Sequence, residues 1–193
     1  MKKIRFFASL LLFFFGLSSL SLTAEECLLK KYEKIGGDFQ LTGHDGKAYT
    51  LESFKDKIVW IYFGYTFCPD VCPMTLSNFK TLYKKLGEKA ENVQVLFITV
   101  DPERDTPELL ENYMSFFHPT FLGLYGDAKQ TRALAAKFAV QYYATKSEKY
   151  TLISHTNRVF LLDKNRVVRS LGSASDSYEQ LAAETRMLLD DCP

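Results

Sequence analysis

Only three histidines and four cysteines occur in this chain of 193 residues. Any thiol or soft-metal chemistry must therefore come from a few nameable positions. The chain also lacks a charge surplus, since 24 Lys and Arg nearly balance 23 Asp and Glu. No basic excess points to nucleic acid, and no acidic tail points to disorder. Internal repeats, low-complexity tracts and long linkers are missing too, which favours one domain. What remains is ordinary globular composition, 47% hydrophobic and 24% charged, in a chain long enough to bury a core without disulfide staples.

The long apolar stretch at the N-terminus is not read as part of the fold. Lys2, Lys3 and Arg5 precede Phe6 to Leu17, FFASLLLFFFGL, and small or polar residues follow up to Ala24. That order describes a secretory signal at residues 1–24. The apolar run is short for a bilayer span of about 20 residues, so cleavage after Ala24 is expected, with retention as an anchor the alternative. Residues 25–193 then form the working domain, with a formal charge of −2 once three basic residues are removed. Such a body steers no partner by net charge. An exported, periplasmic setting, with possible inner-membrane association through this segment, permits disulfides.

Along the domain, Phe39 to Leu51 reads as a hairpin around Asp45-Gly46. Ile58 to Tyr65, IVWIYFGY, has the length and apolar continuity of a strand buried on both faces. Leu76, Phe79, Leu82, Tyr83 and Leu86 fall on one helical face between Met74 and Leu86. Val93 to Val100 is a second buried strand. Asp105 or Thr106 can cap a helix carrying Pro107 in its first turn and ending near Phe117. A short strand at Phe121–Tyr125 and a helix at Asp127–Phe138 follow. Leu152 to Leu162 and Arg166 to Ser170 read as antiparallel strands, and Ser175 to Leu189 as a final helix. The expected fold is α/β: a thioredoxin-like sandwich, with a central mixed sheet flanked by helices and an added N-terminal hairpin.

The sharpest feature is Thr66-Phe67-Cys68-Pro69-Asp70-Val71-Cys72-Pro73, where the first buried strand gives way to a helix. Strand ends of open α/β sheets collect ligand sites, and a helix N-terminus favours thiolate over thiol. Thiolate is the form that binds metal and the form that attacks disulfides. Three residues separate these cysteines, against two in the thioredoxin motif. Residues four apart share one helical face, with Cα atoms about 6 Å apart. Two sulfurs can then converge on one ion, or close a disulfide. The plain alternative is a static disulfide or two inert thiols.

Histidine is less telling. His44 lies in a turn and reads as solvated. His118 precedes Pro119 at a helix end and reads as structural. His155 lies in an apolar strand, as a satisfied core residue or as a ligand. Asp101 follows the second buried strand, as an acceptor near the site or as a loop-shaping residue.

With the cysteine block, Gly37-Asp38-Phe39, His44-Asp45-Gly46-Lys47, Val100-Asp101-Pro102-Glu103-Arg104-Asp105-Thr106-Pro107 and Ser154-His155-Thr156 in place, the chain resembles the Sco/SenC family. The resemblance extends through most of the domain. It implies a thioredoxin-like protein that assists assembly of the copper A centre of cytochrome c oxidase. It also implies copper, as Cu(I) and Cu(II), held by Cys68, Cys72 and His155. The family commonly has Asp just before that histidine, whereas this chain has Ser154, which puts the tuning of the ligand in question.

Two thiolates and an imidazole suit copper, while structural zinc usually takes four protein ligands. Two functions follow from the same sulfurs. The first is a metallochaperone, taking copper from an upstream donor protein and passing it to the copper A subunit of the oxidase. The second is an enzyme, a thiol–disulfide oxidoreductase using Cys68 and Cys72 to reduce the cysteines of that oxidase site. A peroxidase of the peroxiredoxin type shares the fold but needs one peroxidatic thiol rather than a chelating pair. Cys27 and Cys192 lie outside the motif near opposite ends, and a disulfide between them is expected.

Overall fold

The computed structural model describes residues 27, 29–147, 150–173 and 178–190. The expected signal at 1–24 lies outside the described residues.

A small hairpin opens the fold: β1 (Leu41–Gly43) pairs antiparallel with β2 (Ala48–Tyr49). Gly46 turns between them with φ +78°, as an Asp-Gly turn requires. A short 3₁₀ turn, Leu51–Phe54, leads into β3 (Ile58–Gly64), every residue of which is buried. Helix α1 (Val71–Leu86) follows, then β4 (Val93–Thr99), α2 (Pro107–Phe117), β5 (Leu122–Tyr125) and α3 (Ala128–Lys137). The chain continues as β6 (Tyr142–Lys146), β7 (Thr151–His155), β8 (Arg158–Leu162), β9 (Val168–Ser173) and α4 (Tyr178–Asp190).

Seven strands form the main sheet in the order β2-β1-β5-β4-β3-β8-β9. At its centre β3, β4 and β5 run parallel, flanked by antiparallel β1 and β8. Central parallel strands are covered on both faces, which is why β3 and β4 read as unbroken apolar runs. Successive side chains of β3 serve opposite faces. Trp60 and Tyr62 meet Phe79 of α1, with ring centroids 5.0 and 6.5 Å apart, while Phe63 meets Phe138, just after α3, at 5.6 Å. Trp60 Nε1 donates to Thr185 Oγ1 at 3.1 Å and so pins α4 to the sheet. Thr106 caps α2 by accepting from the Leu109 N–H, and Asp127 caps α3 with a capping box to Gln130.

The mixed sheet with flanking helices is the expected α/β class, and the N-terminal hairpin is present, joined to the sheet edge through β5. One expectation is corrected. Leu152–Leu162 is not a single strand: Thr156 and Asn157 break it into β7 and β8. β7 pairs instead with β6, an unexpected strand, in a separate two-stranded sheet. β6 is almost wholly exposed, so it carries no burial pattern to betray it.

Cys27 is disulfide-bonded. Cys192, its expected partner, lies outside the described residues. Arg169, 4% exposed, holds the approach to the fold: its Nη2 donates to the carbonyls of Cys27 and Leu29, and its Nη1 to Asp163.

Candidate metal centre

β3 ends at Gly64, and its ladder runs on through the Val100 N–H, which donates to the Gly64 carbonyl. The loop then turns, with the Cys68 N–H on the Tyr65 carbonyl at 3.2 Å. Cys72 sits in the first turn of α1, fully buried, and Cys68 in the lead-in loop at 8% exposure. α1 begins three residues before the apolar periodicity does, so Cys72 receives the partial positive charge of the helix end. Both thiols are free.

His155 closes β7 and is half-buried. Its Nε2 lies 3.5 Å from Cys72 Sγ, and its Nδ1 lies 3.2 Å from the Thr156 carbonyl. That carbonyl can only accept, so it fixes the proton on Nδ1 and leaves the Nε2 lone pair facing the sulfurs. The two sulfurs and a ring nitrogen of His155 lie within 4.8 Å of one another. An ion bound at about 2.0–2.3 Å holds its ligands some 3.5–4 Å apart, so closure on a metal needs an adjustment of at most about 1.3 Å. Among the described residues these three form the one cluster of metal-ligating side chains.

The thiols are unequal. Cys68 is held well below the usual thiol range by a hydrogen bond from Cys72, with further hydrogen bonds from the Asp70 and Cys72 backbone N–H groups. Cys72 is pushed up by that same bond to Cys68 and by burial. The pair therefore shares one proton, its first loss made easier and its second harder by the other sulfur.

The surroundings are tyrosine-rich. Tyr62 Oη lies 3.0 Å from Asn157 Oδ1 and 3.8 Å from Cys72 Sγ, and its single hydroxyl proton can serve only one of them at a time. The rings of Tyr62 and Tyr65 stand edge-on to His155, at 6.0 and 6.1 Å. A Cβ on Gly64 would come within 3.0 Å of Cys72 Sγ and 2.7 Å of the Phe97 ring, so only glycine admits the sulfur there.

Asp101 does not reach the sulfurs. It accepts from Arg104 Nε and takes the Arg104 and Asp105 N–H groups on its carbonyl, which is the loop-shaping role. Asp105 is buried at 1% exposure and caps nothing. Its carboxylate accepts from the Thr66 N–H and the Thr66 and Thr99 hydroxyls, tying the cysteine loop to the end of β4. Ser154 is exposed, facing away from the site. His118 is structural as expected, packed on Tyr83 and Phe121. His44 corrects its expectation: it is partly buried, and its Nδ1 accepts from the Gly123 N–H at 3.0 Å. Tyr62, Asn157 and Arg104 were not singled out from sequence. The one signal was a tyrosine in a strand otherwise destined for the core.

The family model SCO1/SenC matches residues 29–190. The chain belongs to this family. Among curated relatives, an SCO2-like protein of Rickettsia felis is 36% identical over 68% of this chain. The chain spans 66% of that SCO2-like protein's length. Among solved structures, Bradyrhizobium japonicum ScoI with copper bound is 37% identical, with a TM-score of 0.74 over 80% of this chain and 99% of that one. Arabidopsis thaliana ScoI with copper bound is 32% identical, with a TM-score of 0.73 over 79% of this chain and 98% of that one. The sandwich is thus shared with Sco proteins solved in copper-bound form. No helix among the described residues is long and apolar enough to cross a membrane.

Proposed function

We propose that this SCO1/SenC protein is a copper metallochaperone, holding one ion on Cys68, Cys72 and His155 for delivery to the copper A subunit of cytochrome c oxidase. The observation that carries the reading is the convergence of two sulfurs and an imidazole nitrogen, with the ring already oriented from behind by the Thr156 carbonyl. Soft sulfur favours Cu(I), and the nitrogen accommodates Cu(II). Three protein ligands leave room for a partner to insert its own, so the ion can pass by ligand exchange. The working site is exported, in the periplasm, with residues 1–24 as the export signal or an anchor. An upstream donor protein supplies the metal.

A second reading is supported by the unequal thiols. The more accessible Cys68, at 8% exposure, beside a fully buried Cys72 is the arrangement of attacking and resolving groups. Cys68 attacks a partner disulfide, forming a mixed disulfide and releasing one partner thiolate. Cys72 then gives its proton to the released partner thiolate and attacks Cys68, releasing the second partner thiolate. The partner gains two electrons and this chain is left with a Cys68–Cys72 disulfide, which no longer binds copper.

Anaerobic Cu(I) titration of the reduced protein beside His155→Ala tests the first reading. One tightly bound copper per chain, weakened about tenfold or more in the variant, with reduction of a partner disulfide retained, is the expected result. No tight copper, or affinity indifferent to His155, overturns it in favour of thiol–disulfide exchange.

A further inference from the structure

The histidine and the cysteines ride on separately built parts of the fold. Cys68 and Cys72 belong to the loop and helix that follow the central strand β3, whereas His155 lies on β7, which pairs only with β6. Among the described residues, no main-sheet hydrogen bonds fix this hairpin over the sulfurs. Its two strands are mostly exposed, and Ile153 is the one buried side chain among them. Its position therefore depends on a few side-chain ties.

Arg104 makes a tie that faces the cysteine loop. Its Nη1 donates to the Thr151 carbonyl at 3.1 Å, at the start of the same strand that ends in His155. Its Nε is held by Asp101. Its guanidinium lies 4.9 Å from the ring centre of Phe67, the residue before Cys68, and 5.9 Å from that of Tyr65. Tyr65 Oη in turn accepts the Ile153 N–H at 3.2 Å. Elsewhere on the hairpin, Arg132 lies over Tyr142 at 5.4 Å and Thr156 bonds Gln141, neither of which touches the cysteine loop.

We infer that Arg104 is a positioning residue that clamps the β6–β7 hairpin to the cysteine loop and so sets the approach of His155 to Cys68 and Cys72. The inference rests on the copper reading for its consequence, but not for the clamp itself. A planar guanidinium can hold Asp101, a carbonyl and an aromatic face at once, which a lysine ammonium does less well. Without the clamp, the hairpin keeps the Tyr65–Ile153 bond, the Ile153 packing and the ties at its base, but the start of β7 is released and the imidazole is held less closely to the sulfurs.

The test uses the full chain, with two readouts on Arg104→Ala and, should that variant not fold, on Arg104→Lys. The first is amide hydrogen exchange of β6 and β7 in the metal-free reduced protein, expected to rise about tenfold with the core strands unchanged. The second is Cu(I) affinity by competition titration, alone and combined with His155→Ala. Arg104→Ala should weaken copper about tenfold, and this loss should largely vanish in the His155→Ala background. Unchanged hairpin exchange overturns the clamp. Raised exchange with unaltered copper affinity, or an equal affinity loss with and without His155, overturns the positioning role. A wild-type protein that binds no copper, with hairpin exchange still raised in Arg104→Ala, would sink the copper reading and leave the clamp standing.

Discussion

At the scale of single residues, the site is governed by buried polar groups whose partners are few and specific. Asp105 is the clearest. Burial pushes its carboxyl above the ordinary value of 3.8, the nearby Asp101 charge adds to this, and hydrogen bonds from Thr66 and Thr99 oppose it. A native pKa raised above the unfolded one means that the folded protein binds the proton more tightly. The stability this contributes is fully present below 3.8 and is lost as pH rises through the raised native value. Asp105→Asn removes the titration while keeping an acceptor for the Thr66 N–H. The expected outcome is a smaller fall in urea midpoint between pH 4 and pH 7 than in the wild type. An equal fall in both proteins would assign the pH dependence to other groups.

Among the elements, α4 and β3 show how a helix remote from the site supports it. The indole N–H of Trp60 is fully buried and finds its acceptor in Thr185 Oγ1, whose own proton goes to the Leu181 carbonyl. Thr185→Val keeps the shape and removes the acceptor, leaving a buried donor without a partner. A loss of about 1–3 kcal/mol is expected by urea denaturation. Although the same strand leads into the cysteine loop, Thr185 touches none of the three ligands, so copper affinity measured well below the unfolding range should stay close to wild type. A large affinity loss without a stability loss would show that α4 acts on the site directly.

For the molecule as a whole, a buried ion pair helps tie the N-terminal segment to the fold. Arg169 and Asp163 are 4% and 7% exposed at the side chain, and the guanidinium also binds the carbonyls of Cys27 and Leu29. Asp163 is otherwise satisfied by the Asn165 and Val167 N–H groups of the β8–β9 turn. Truncating one member of such a pair strands the other charge. Arg169→Ala should therefore cost about 3–5 kcal/mol in chemical denaturation. A cost near that of an exposed pair, under about 1 kcal/mol, would mean that water reaches Asp163 readily.

The amino-acid sequence by itself determined the elements that local patterns encode. The apolar continuity of Ile58–Gly64 announces a central strand, the spacing of Leu76 to Leu86 announces α1, and two cysteines at the junction between them announce thiolate chemistry. These follow from periodicity and from the backbone electrostatics of a helix end, which neighbours in sequence suffice to specify. Tertiary structure alone decided the rest. It broke Leu152–Leu162 at Thr156 and Asn157, paired β7 with the exposed β6, and swung His155 to 3.5 Å from Cys72, 83 residues earlier in the chain. It also buried Asp105 under Thr66 and set Arg104 between Phe67 and Thr151. Such groupings depend on which surfaces meet when the sheet closes, and no local period records that.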